Sequence, residues 1–266
     1  MSLKRIGFLV VFSALVAVTT MAGEPDAMDD PRTAMAQALN KRGLSDITPE
    51  NLSPSPIAGV WELAVDMELY YVSEDGRYLV KGEIIDLNGF VNVTEHRKSS
   101  GRLAALREID ESRMIIFSPA EEPNVRLTVF TDIDCTYCQK LHQEIDVLNE
   151  LGVEIRYLFY PRSGPGSLSW MKADAVWCSD DRQEALTEAK KQARAHARSG
   201  KAVMPPVALE DCTDSPVREH YEIATQLARG TPAIVTESGQ LISGYMPAAQ
   251  LVEYARTLNA QMAAKD

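Results

Sequence analysis

Several things are missing from this sequence. Basic residues are not in excess: 27 Lys+Arg stand against 38 Asp+Glu, a formal net charge of −11. A pI near 4.9 argues against a nucleic-acid binder, which would need a basic face. There are only four cysteines in 266 residues, too few for a fold built on disulfides. Cys135 and Cys138 form a Cys-x-x-Cys, but no second such pair accompanies it, because Cys178 and Cys212 lie far apart. Half a zinc site is therefore all that the pattern offers, and no metal is expected. No internal repeat or low-complexity tract is present, which excludes solenoids and disordered tails. After the N-terminus no apolar run reaches the roughly 20 residues of a membrane-spanning helix. What remains, 45% hydrophobic and 24% charged, is the composition of a globular protein with one or two domains.

The first residues read as an address. Lys4 and Arg5 precede an apolar run from Ile6 to Val18, and Thr20-Met21-Ala22 offers small residues for a signal peptidase. Cleavage after Ala22 is expected, so residues 1–22 are assigned to a signal peptide. Removing Lys4 and Arg5 takes the formal charge from −11 to −13. Export would place the cysteines where disulfides can form.

Residues 23–98 read as a small α+β domain. Asp30 and Pro31 start a helix that Gly43 ends. A β-rich stretch over 57–93 follows. In it Tyr70-Tyr71-Val72 and Tyr78-Leu79-Val80 flank a Gly-containing turn, the pattern of a hairpin. Such a sheet buries little surface alone, which points to a partner chain. Ser99 to Arg113 reads as a charged, solvated connector helix within a linker over 99–117. From 118 to 266 the pattern becomes α/β. Strands are expected at Val125–Thr131 and Val153–Phe159, joined by a helix from Cys135 to Leu151 that Gly152 stops. A long helix over Ser167–Arg198 comes next, then a helix at Val217–Leu227. Strands at Ala233–Thr236 and Leu241–Ser243 and a helix over Pro247–Gln261 complete the reading.

The chemistry is carried by Cys135-Thr136-Tyr137-Cys138, placed where a buried strand meets a helix N-terminus. Free N–H groups and the helix dipole there favour a thiolate at the first cysteine. Cys135 would attack, and Cys138, one turn on, would resolve. Asp134 is a candidate N-cap whose charge would oppose the Cys135 thiolate. His142 reads as a packing histidine close to the site, and Asp132 as a proton-transfer or capping group.

Phe130 to His142, with its Cys-x-x-Cys, resembles the active-site segment of the DsbC family of periplasmic thiol–disulfide isomerases. The likeness continues in Ile155 to Arg162, Trp177-Cys178, Gly230 to Val235 and Gly244-Tyr245, and in the N-terminal part in Leu69 to Val72 and Asp75-Gly76-Arg77. The resemblance implies an α+β N-terminal dimerisation domain, a linker helix and an α/β thioredoxin-like catalytic domain with a helical insertion. It implies disulfide isomerase and reductase activity, with chaperone activity in a cleft between two catalytic domains. A redox-active Cys135–Cys138 pair would serve without any cofactor. Thr231-Pro232 would be a cis-proline loop that, with Thr136 and Tyr137, holds an extended substrate, and Cys178–Cys212 would be a structural disulfide. Its partners would be a second copy of the chain, misfolded disulfide-containing proteins and a membrane reductant of the DsbD type, with no nucleic acid. Asp134 and Thr136 depart from the family's usual choices and bear on the redox potential. Glu188 to Gly200, with Lys190, Lys191, Arg194 and Arg198, reads as an added basic run that extends a solvated helix and could bind a partner. A DsbG-like reductase of sulfenic acids, a DsbA-like oxidase and a holdase with an idle disulfide are the alternatives.

Overall fold

The computed structural model describes residues 30–197 and 213–263. The expected signal peptide, Arg198 and Cys212 lie outside the described residues.

Helix α1 (Pro31–Lys41) starts as its sequence dictates, with the Asp30 carboxylate accepting from Arg32 N–H at 2.9 Å. It lies on an antiparallel sheet ordered β1-β2-β3-β4, formed by Leu52–Pro54, Val60–Val65, Glu68–Ser73 and Leu79–Val80. The expected hairpin is β3–β4, pairing Tyr71 with Val80 and Val72 with Leu79. Gly76 takes the turn at φ +66°, backbone that side chains rarely adopt. Met35, Leu39, Leu52, Leu63 and Val72 close a small core between helix and sheet. A short ribbon, β5 (Ile85–Asp86) with β6 (Val91–Asn92), leads into helix α2.

Helix α2 spans Val93–Arg107, earlier than the expected Ser99–Arg113, because the Asn92 side chain caps it by accepting from Glu95 N–H. Residues 111–113 form only a single tight turn. The helix is also not the solvated connector its charges imply. Ser99 and Arg102 are buried. Arg102 pairs with Glu95 at 2.6 Å and donates to the Gly239 carbonyl at 3.1 Å. Charges spaced along a helix look solvated until a distant loop covers them.

The second sheet is ordered β11-β10-β8-β9-β7, with β8 (Val125–Thr131) and β9 (Val153–Phe159) parallel at its centre and the remaining pairs antiparallel. β7 is Ile115–Phe117, β10 Ala233–Thr236 and β11 Leu241–Ser243. Between β8 and β9 the single expected helix is two, α3 (Thr136–His142) and α4 (Ile145–Glu150). The long helix expected over 167–198 is likewise broken. α5 (Leu168–Trp177) ends with Cys178 as its C-cap, and α6 (Arg182–Ala197) starts after it. α7 (Val217–Leu227) and α8 (Ala248–Ala263) complete the layers around the sheet. The core joins Leu127, Val129, Ile155 and Tyr157 of the sheet to Leu141, Trp170, Leu186, Leu251 and Ala255 of the helices.

Candidate active site

The sheet delivers its central strand to the start of α3. β8 ends at Thr131, and Asp132-Ile133-Asp134 turns the chain. The Asp132 carboxylate organises this turn, accepting from Asp134 N–H at 2.9 Å, Ser169 Oγ at 2.6 Å and Arg162 Nε at 3.0 Å. Burial alone would raise the Asp132 pKa, but these donors outweigh it and hold the carboxyl below its ordinary value. The N-cap of α3 is Cys135 itself, not Asp134. Asp134 instead points away to an ion pair with Lys172 at 2.6 Å, so its charge is offset there. No side chain caps α3, and the carboxylate that orders the turn before it is Asp132.

Cys135 and Cys138 are free thiols, and both are buried. In the thiol form Cys135 Sγ donates to the Thr231 carbonyl at 3.3 Å. Thr231-Pro232 is a cis peptide, so the loop before β10 and the start of α3 meet as the resemblance implied. The Cys135 pKa is pulled down to about 5. The hydrogen bond from the Cys138 thiol is the main cause. Burial opposes it, and the Thr231 side chain, the Cys138 N–H and the Arg162 charge add to the lowering. The Thr231 hydroxyl has no other partner, which leaves it free to donate to the thiolate. Cys138 moves the opposite way: burial and its bond to Cys135 push its thiol well up. The thiolate is thereby favoured at one cysteine while its neighbour keeps its proton, an asymmetry suited to stepwise thiol–disulfide exchange.

Two family models match this chain: a disulfide bond isomerase protein N-terminal domain over residues 25–95 and a thioredoxin-like domain over residues 112–259. The thiol:disulfide interchange protein DsbC of Escherichia coli K12 is 33% identical over 93% of this chain and 94% of its own. DsbC of Dickeya dadantii is 34% identical over 92% of each chain. DsbC of Haemophilus influenzae is 34% identical over 91% of this chain and 95% of its own. The chain belongs to the DsbC family. It therefore has the DsbC N-terminal domain followed by a thioredoxin-like domain, and it is a thiol:disulfide oxidoreductase by class.

Around this DsbC-type centre, Thr136 and Tyr137 are exposed beside the buried cysteines. Tyr137 stacks on Tyr245 at 6.3 Å between ring centroids, with Lys140 Nζ 5.3 Å from the Tyr137 ring centre. Glu144 anchors that rim by accepting from Tyr245 Oη and from Ala248 N–H. His142 is buried against Phe117 and Tyr157 and bonds to Tyr157 Oη at 3.2 Å and Thr187 Oγ1 at 2.9 Å. Burial and then the Lys190 charge push its pKa down to about 3, so the ring is neutral at physiological pH. Cys178, at the end of α5, is disulfide-bonded; Cys212, its expected partner, lies outside the described residues.

The basic run is where the sequence reading departs most from the structure. Lys191 is exposed and pairs with Glu188, as a solvated helix face would. Lys190 is 2% exposed and turns inward, its Nζ donating to Thr131 Oγ1 at 2.7 Å. Arg162, Ser169 and Lys172 were also not legible as site residues. The only sequence signal for them was the Tyr160-Pro161-Arg162 part of the family resemblance, which contained Arg162 without giving it a role.

Proposed function

We propose that the protein is a periplasmic disulfide isomerase and reductase that works as a homodimer. The observation that carries this reading is the juxtaposition of a low-pKa Cys135 with Thr231 O and the cis Pro232. An extended polypeptide pairing with the Thr231-Pro232 backbone presents its disulfide to Cys135. The Cys135 thiolate attacks one substrate sulfur. A Cys135–substrate bond forms, the substrate disulfide breaks, and the departing sulfur takes a proton from water. If another substrate thiolate attacks the mixed disulfide, Cys135 is released and the substrate is isomerised. If Cys138 attacks, the substrate leaves reduced and the enzyme pair is oxidised. A membrane reductant of the DsbD type then returns the pair to the thiol state.

The N-terminal domain supports a second copy as partner. β4 is an edge strand with both residues, Leu79 and Val80, exposed beside exposed Tyr78, and Leu87 and Phe90 of the β5–β6 ribbon are exposed as well. Two such edges joined would hold the catalytic domains around a cleft suited to unfolded chains and to chaperone activity. The N-terminal signal-peptide pattern supports export, and no helix among the described residues is long and apolar enough to cross a membrane.

Reactivation of scrambled ribonuclease tests the reading. Wild type restores activity and Cys135→Ala does not. Equal reactivation by Cys135→Ala refutes the enzyme and leaves a holdase. In gel filtration the mature chain elutes as a dimer; a monomer removes the cleft.

A further inference from the structure

Lys190 is buried on α6, which packs against α3, the helix that carries Cys138. A buried ammonium without a counter-ion is costly, so a lysine in such a place tends to shed its proton. Among the described residues Lys190 makes no ion pair. Its Nζ bonds to Thr131 Oγ1 on β8 and lies 5.5 Å from the centre of the Tyr157 ring on β9. The titratable groups that act on it are Cys138 first, then Asp132, Cys135 and Asp134, all on α3 or the turn before it. Asp132 is engaged by Ser169, Arg162 and Asp134 N–H. His142, on the same helix, has both ring nitrogens bonded elsewhere. α6 also packs on α5 and β7. β7 carries no titratable side chain, while on α5 Lys172 binds Asp134 and Asp174 accepts from Ser215. Among the groups that act on Cys138, Lys190 is the leading one that favours its thiolate.

We propose that Lys190 is a positioning residue for the resolving step, taking up the proton that Cys138 loses and holding the resulting thiolate. This rests on the assignment of Cys135 as nucleophile and Cys138 as resolver. In the mixed disulfide, the Cys138 proton passes to neutral Lys190. Cys138 sulfur attacks Cys135 sulfur, so the Cys135–Cys138 bond forms and the Cys135–substrate bond breaks. The electron pair leaves on the substrate sulfur, which is protonated by water. The cysteine pair is oxidised by two electrons and the substrate disulfide is reduced. Burial lowers the Lys190 pKa and so enlarges the neutral fraction that can accept the proton. A fast resolving step favours reduction over isomerisation, so Lys190 sets the balance between the two outcomes.

Single-turnover reaction of the reduced protein with glutathione disulfide separates the steps, because release of the first glutathione reports Cys135 and release of the second reports Cys138. Lys190→Met keeps the length and removes the base. Each unit of pKa lost changes the thiolate fraction about tenfold, and the gain in nucleophilicity recovers part of it, leaving about threefold per unit. The second release should slow by about three- to tenfold in Lys190→Met, with the glutathione adduct accumulating, while the first changes little. Its rate should climb steadily with pH in the variant and level off in wild type once Lys190 is neutral. A second release at the wild-type rate with the wild-type pH profile overturns the proposal. If Lys190→Met does not fold, Thr131→Val, which frees Nζ, decides: its plateau should shift in pH, and an unshifted plateau overturns the proposal. Failure of wild type to form any adduct overturns the Cys135 assignment itself, a result distinct from normal adduct formation with unaltered resolution.

Discussion

Replacing Cys138 by alanine removes the main stabiliser of the Cys135 thiolate. The Cys135 pKa stands at about 5 rather than the ordinary 9.0, with the Cys138 thiol hydrogen bond as its leading cause. A hydrogen bond to a charged group is worth about 1.5–3 kcal/mol, and about 1.36 kcal/mol corresponds to one pKa unit. The Cys135 midpoint should therefore rise by about one to two units, since the Thr231 hydroxyl, the Cys138 N–H and Arg162 remain. Below both midpoints the variant would hold about ten- to a hundredfold fewer thiolates than wild type. The assay is the pH dependence of Cys135 alkylation by iodoacetamide, paired with the ultraviolet absorbance of the thiolate. Cys138→Ser keeps an O–H donor at the same place, so it should retain most of the depression. A Cys138→Ala midpoint identical to wild type refutes the hydrogen-bond account. A wild-type midpoint in the ordinary thiol range refutes the low pKa altogether.

Thr231→Val removes the otherwise unpartnered hydroxyl facing Cys135. It should raise the alkylation midpoint by about one unit, with the fold intact by circular dichroism. Because the folded Cys135 pKa is depressed, its ionisation stabilises the reduced protein fully above pH 9.0 and not at all below about 5. The Tm of the reduced form relative to Cys135→Ala should thus decline as pH falls through that window, and a constant difference would contradict it. Gly239→Ala would place a Cβ 2.3 Å from the Ser99 carbonyl at a residue with φ +78°. A loss of about 1–3 kcal/mol in urea unfolding is expected from the strained backbone and the displaced α2, and wild-type stability would show that this contact is absent in solution.

The parts of the fold legible in the sequence are those whose cause is local. Val217–Leu227 and the strands at 125–131, 153–159, 233–236 and 241–243 have the boundaries their apolar patterns indicate, because hydrophobic periodicity and neighbouring Gly or Pro act within a few residues. The breaks after Trp177 and His142 were not legible. Each side of the break keeps a helical pattern, and the segments then pack on different strands, α4 on β9 and α6 on β7. Arg102 and Lys190 were read as solvated for the same reason: the groups that cover them lie 137 and 59 residues away in the chain. Asp134 looked like the cap, yet Lys172, 38 residues on, draws it off and Asp132 takes over the turn.

By itself, then, the sequence determined the class of chemistry. Two cysteines one helical turn apart at a strand–helix junction are the pattern of a redox pair, and their spacing and the free N–H groups of the helix start are local properties. Only the tertiary structure decided how the two sulfurs differ. Thr231, Arg162 and Lys190 arrive from three separate segments, and Coulomb forces and hydrogen bonds depend on distance through space in a medium of low dielectric. Thr231 and Arg162 favour the anion at Cys135 and burial keeps the proton on Cys138, while Lys190 pulls Cys138 the other way, and that balance appears only when the sheet and α6 close around the pair.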